Sequence, residues 1–110
     1  MLQYQNDIVS EHRELFETAR VFLLRFEGVV ETKKPRITTY SDANGGICHL
    51  RTMPHGIDFG FLKGAKMQDD FKLLTGHGKL LRVLSLQTFV EDTVVYYVQQ
   101  AISLNRQRKV

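Results

Sequence analysis

The chain has 110 residues, 43% hydrophobic and 25% charged, with a formal net charge of +3. That is the composition of an ordinary soluble globular protein, long enough for one domain with one core. No apolar run approaches the ~18 residues of a membrane helix, so no membrane partner is expected. The opening MLQYQNDIVSEHRE lacks the basic stretch and apolar centre of a signal peptide. Cys48 stands alone, which excludes an intrachain disulfide framework; it suits a reducing compartment, and cytoplasm is the expected location. The charge is unevenly spread. Residues 1–31 carry six acids against three arginines, whereas residues 32–110 carry twelve Lys/Arg against six acids. An acidic element on a moderately basic body follows, and it speaks to association rather than to fold.

Ile8, Leu15, Phe16, Ala19, Phe22, Leu23 and Phe26 form an i, i+3, i+4, i+7 stripe. It predicts one amphipathic helix, opened by Asn6 or Asp7 and stopped at Gly28. The segment from Val29 to Pro35 carries little signal. Arg36–Ser41, Ile47–Met53 and Ile57–Leu62 read as three strands, rich in β-branched and aromatic residues. Asp42 to Gly46 and Pro54-His55-Gly56 are the turns between them. Connections this short require antiparallel pairing. Gly64 to Gly78 reads as a loop with helical turns over Gln68–Leu74, and Leu80–Leu86 as a fourth strand. Thr88 and Glu91 have capping-box spacing. The helix after them gathers Val90, Val94, Tyr97, Val98, Ala101 and Leu104 on one side and ends in a tail with Arg106, Arg108 and Lys109 near its negative pole. The expected fold is α+β: one domain over 1–110, with a single antiparallel sheet of about four strands and both terminal helices on one face.

Strand alternation assigns faces. Cys48, Leu50, Phe59, Phe61, Leu81 and Val83 are expected to meet the helices. The other face then carries His49, Arg51, Asp58 and Arg82 around the small Gly60, a polar surface suited to a partner protein.

Several motifs invite chemistry. Thr75-Gly76-His77-Gly78-Lys79 resembles a phosphate loop, but Lys79 is followed by Leu80 and then by a strand, so no helix N-terminus faces an anion. Gly76 and Gly78 beside Lys79 and Arg82 still suit a single anion. His12, His49, His55, His77 and Cys48 lack metal-ligand spacing. Asp7, Glu11 and Glu14, four and three apart, align on one flank of the first helix. Glu17 extends that zone, and such carboxylates suit hard cations including ferrous iron. Lys63, Lys66, Lys72, Lys79 and Arg82 make Lys63–Arg82 basic, but Asp69 and Asp70 interrupt it and no nucleic-acid motif accompanies it, which argues against nucleic acid.

The run FGFLKGAKMQDDFKLLTGHGKLLRVLSL resembles the signature of the YdhG-like family, domain of unknown function number 1801. The resemblance lies in Phe61-Leu62-Lys63-Gly64-Ala65 followed by Leu73-Leu74-Thr75-Gly76-His77-Gly78-Lys79-Leu80-Leu81-Arg82. It covers roughly residues 36–104, with Tyr40 and Ile47–Leu50 fitting the preceding strands. It implies a small intracellular α+β domain with helices flanking the sheet. Because some members are described as frataxin-like iron chaperones, it implies weakly bound iron on Asp7, Glu11 and Glu14. Two expectations follow. One is a non-enzymatic binding domain acting as an iron carrier. The other is a module that holds a small anion or a protein partner through Lys79, Arg82, Gly76 and Gly78 together with His49, Arg51 and Asp58.

Overall fold

The structure is a computed structural model that describes residues 1–107. Arg108 and Lys109, expected at the end of the last helix, lie outside the described residues. Two helices, α1 (Gln3–Asp7) and α2 (Arg13–Leu24), precede β1 (Val30–Lys33), β2 (Thr38–Asp42), β3 (Gly45–Met53) and β4 (Gly56–Phe61). A 3₁₀ turn (Gly64–Lys66), β5 (Leu74–Thr75), β6 (Arg82–Leu86) and α3 (Glu91–Gln107) complete the described chain. The sheet is antiparallel throughout and has six strands, in the order β1-β2-β3-β4-β6-β5. The expected α+β class and single sheet hold; the strand count of about four does not. β1 and β5 are the additions. Both are short edge strands whose sequences, VETK and LT, are too brief to show an alternation. No described helix is long and apolar enough to cross a membrane.

The expected single N-terminal helix is two. Residues 8–12 leave the helical path, and the Ser10 hydroxyl accepts the His12 N–H at 3.0 Å. A hydroxyl bonding two residues on offers the backbone a turn in place of a helix. The break also reverses the apolar stripe at its start: Ile8 is 43% exposed, whereas Asp7 is fully buried. The Asp7 Oδ1 accepts the Thr52 N–H at 3.0 Å, the Thr52 hydroxyl at 2.7 Å and the Gln3 amide at 2.8 Å, tying α1 to β3.

One face of the sheet is apolar. The cross-strand row Leu50–Phe59–Leu84 and the row Tyr40–Cys48–Phe61 run beneath the helices. They share one buried cluster with Phe16, Ala19, Phe22 and Leu23 of α2 and Val94, Tyr97, Val98 and Ala101 of α3. Burying a side chain of this size stabilises by about 1.5–3 kcal/mol, so this cluster is the main stabilising unit. Burial raises the pKa of the Cys48 thiol, which is inert packing here. At the β1 edge, Arg20 makes a forked pair with Glu31, at 2.6 and 3.0 Å, and the Tyr40 hydroxyl donates to the same carboxylate at 2.8 Å. Burial and that bond raise the phenol's pKa.

The long connection from β4 to β6 is pinned rather than loose. Asp69 accepts hydrogen bonds from the Tyr97 hydroxyl and from the Leu73 and Leu74 N–H groups. Burial alone would raise its pKa, but these donors, with Lys72, hold it below the usual carboxylate range. Gln68 and Gln100 exchange two further bonds. The helical turns expected over Gln68–Leu74 do not form. The Asp69 carboxylate takes the Leu73 and Leu74 N–H groups, and the only turn of 3₁₀ helix in the connection lies earlier, at Gly64–Lys66. That turn explains why two stretches of the glycine-rich run belong together. Ala65 N–H bonds to the Leu80 carbonyl at 2.8 Å, and a Cβ on Gly64 would lie 2.4 Å from the Arg82 Cβ and 2.9 Å from its backbone nitrogen. Gly64→Ala is therefore expected to cost about 1–3 kcal/mol, read as a lower urea midpoint with an unchanged slope.

Candidate functional site on the open sheet face

The second face of the sheet is uncovered, and its register is explicit. Thr39, His49, Gly60 and Val83 form one cross-strand row; Arg51, Asp58 and Ser85 form the next. Where the rows meet, the surface sinks into a depression of about 280 Å³ lined by Arg36, Ile37, His49, Arg51, Asp58, Gly60, Leu81 and Val83. Gly60 makes the floor. A Cβ there would make only ordinary contacts, 3.6 Å from the His49 Nδ1 and 3.6 Å from a Leu81 methyl, so the imidazole lies close beside the bare backbone.

The site's electrostatics are one-sided. Arg36 and Arg51 are exposed, and neither makes an ion pair or hydrogen bond among the described residues. The one acid in the lining, Asp58, is already engaged. Its Oδ1 is 2.7 Å from the His55 Nε2 and accepts the Ser85 hydroxyl at 2.7 Å. Burial first, then the positive charges of Lys34 and Arg51, hold the His49 imidazole below its ordinary pKa range. The site is thus a partly apolar hollow in which two arginines without an ion pair face a single carboxylate.

Ser85, Asp58 and His55 are the residue types of a hydrolase triad but not its order. Serine and histidine both converge on the same carboxylate oxygen, so the imidazole does not stand between them to take the serine's proton.

Of the residues that the sequence singled out, His49, Arg51 and Asp58 are brought together around Gly60 as expected. Arg82 is not with them. It pairs with Phe61, in the row of Tyr40 and Cys48, and its guanidinium donates to the carbonyls of Gly78, at 2.6 Å, and Leu81, at 2.8 Å. The expected faces of the fourth strand are therefore reversed. Leu84 and Leu86 enter the core opposite Phe59 and Ile57, and Leu81 and Val83 line the open depression. In LLRVLSL both parities are apolar, so alternation offered no decision. Arg82 consequently shapes the loop of Gly76, Gly78 and Lys79 from inside, and Lys63 likewise bonds to the buried Asn105 at 2.7 Å.

Asp7, Glu11 and Glu14 are not gathered on one flank, because the helix that would have aligned them is broken at residues 8–12. Asp7 is buried against Thr52, Glu11 is exposed 3.3 Å from the His12 Nε2, and Glu17 is engaged by Arg20. Among the described residues no group of three or more His, Cys, Asp or Glu is placed to hold a metal ion.

Arg36, Ile37, Leu81 and Val83 escaped sequence reasoning. Arg36 and Ile37 were read as the start of the first strand but given no face, and the observed β2 begins later, at Thr38. Leu81 and Val83 were assigned to the opposite face.

No family model, no curated protein and no solved structure matches the chain. The functional argument therefore rests on the residues of the open face.

Proposed function

We propose that the protein is a non-enzymatic binding module that docks an anionic group of a partner on the open face of its sheet. The observation that carries this reading is the rim of Arg36, His49 and Arg51 around an accessible hollow whose only acid, Asp58, is spoken for by His55 and Ser85. Two arginines against one carboxylate leave net positive charge around the hollow, and an incoming anion offsets it. A hydrogen bond from such a donor to a charged group contributes about 1.5–3 kcal/mol. The apolar part of the lining, Ile37, Leu81 and Val83, gives the body of the partner something to cover.

The sheet's aromatics, Tyr40, Phe59 and Phe61, all belong to the buried helix-facing rows. Bases would find no stacking platform among the described residues of the open face, which favours an acidic group over single-stranded nucleic acid. The YdhG-like resemblance fits a binding role, and its glycine-rich signature reads as the packing device that joins the 3₁₀ turn to β6.

Titrating the isotopically labelled full chain with an oligoglutamate peptide tests the reading. Amide shifts are expected at His49, Arg51, Gly60 and Val83. Arg36→Glu combined with Arg51→Glu should weaken binding by at least about tenfold while leaving the melting temperature unchanged. Shifts confined to the Lys63–Lys79 segment, or undiminished binding by the double variant, would overturn it.

A further inference from the structure

Resting on that reading, we infer that the hollow over Gly60 is a site for a doubly charged oxyanion of the phosphate monoester class, held by Arg36, Arg51 and His49, with His49 taking up a proton as the anion binds.

Two guanidinium forks supply planar, always-charged donors matched to oxyanion oxygens. They line the same small hollow as the His49 imidazole, which lies beside the bare Gly60 backbone. With His49 neutral, the two arginines balance a dianion formally, but the imidazole then brings a single N–H. Protonated, it brings a second donor and a third charge. What opposes protonation in the free protein is, first, burial and, second, the field of Lys34 and Arg51. The other charged groups near it are Arg36, of the same sign, and Asp58, whose Oδ1 faces His55 and Ser85. A dianion seated beside the arginines offsets that field, so anion binding and proton binding favour each other. By linkage each raises the affinity for the other by the same factor. A monoanion cancels half as much charge and gains less.

The same balance gives a sign for stability. In the free protein the lowered His49 pKa favours the folded state at neutral pH, and this contribution is lost as pH falls below the ordinary imidazole value of about 6.5. A bound dianion should restore it.

Sulfate is the decisive probe, because it stays dianionic across the range and cannot itself supply the proton. Binding of sulfate to the full chain is expected to be severalfold tighter at about pH 5.5 than at about pH 8, approaching about tenfold only below the free imidazole's pKa, for a rise of about one unit in the His49 pKa. The rise is read directly from the imidazole NMR signals, with net proton uptake in calorimetry. His49→Gln should keep weak binding and lose the pH dependence, with unchanged melting at neutral pH. Phenyl phosphate should bind more tightly than acetate. A phosphoserine peptide is compared with phenyl phosphate and with its unphosphorylated form. A gain over phenyl phosphate assigns the ester to a protein partner; equal affinity assigns it to a free small molecule.

Sulfate binding without a His49 shift would overturn the proton coupling. Binding of oligoglutamate but neither sulfate nor phenyl phosphate would overturn the oxyanion assignment and leave the open-face reading intact. If none of these anions perturbs the open face, both fall.

Discussion

Gly56→Ala is expected to destabilise the fold by about 3–5 kcal/mol, a large part of the ~5–15 kcal/mol that holds a domain together. Two effects combine. Gly56 has φ +148, a backbone conformation that L side chains rarely adopt. In addition, an added Cβ would lie 2.1 Å from the Leu86 carbonyl oxygen and 3.1 Å from the Gln87 Cα. Both obstructing atoms are backbone, so no side chain can swing aside. Either the Pro54–His55 turn opens or the end of β6 lifts, and Leu86, only 8% exposed, leaves the core. Gly28→Ala is the matched control. Gly28 has φ +76 but nothing within 4 Å of its added Cβ, so only the conformational cost of about 1–2 kcal/mol remains. Chemical denaturation of both variants separates the two effects. Equal losses would mean that the contact with Leu86 is not limiting.

Asp7→Ala is expected to cost about 2–4 kcal/mol, because removing one partner leaves buried donors unsatisfied. Three donors converge on Oδ1: the Thr52 N–H, the Thr52 hydroxyl and the Gln3 amide. The Oδ2 is buried and has no hydrogen-bond partner among the described residues. Asp7→Asn keeps the Oδ1 acceptor and removes the carboxylate, so it should stay within about 1 kcal/mol of the parent. Amide exchange gives the local readout: in Asp7→Ala, protection should fall first at Thr52 and through α1. If Asp7→Asn is as damaging as Asp7→Ala, the charge itself matters and the acceptor geometry does not explain the burial.

These two positions also show how legibility varies along the chain. The turn at Pro54-His55-Gly56 was readable because glycine next to proline, between two β-rich runs, has few other uses. Its contact with Leu86 was not, since that neighbour is thirty residues away in sequence. Asp7 illustrates the opposite failure. Its spacing to Glu11 and Glu14 suggested one acidic flank, yet the chain leaves the helix where the Ser10 hydroxyl accepts the His12 N–H, and two bonds from distant Thr52 hold Asp7 inside. On the open face, His49, Arg51 and Asp58 were legible because β3 and the start of β4 alternate cleanly. The remainder of the depression was not, because LLRVLSL is apolar in both parities.

By itself the sequence determined the α+β class, the antiparallel hairpins, the C-terminal amphipathic helix and three members of the open face, His49, Arg51 and Asp58. All of these follow from local periods of 2 or 3.6 and from turn residues. Only the tertiary structure decided which way β6 faces, where the first helix breaks, that Arg82 holds a loop from within, and that Arg36, Leu81 and Val83 close the hollow around His49. Those outcomes depend on pairings such as Phe59 with Leu84 and Asp7 with Thr52, whose energy comes from burial and hydrogen bonding between distant segments. No local window of the chain contains both partners.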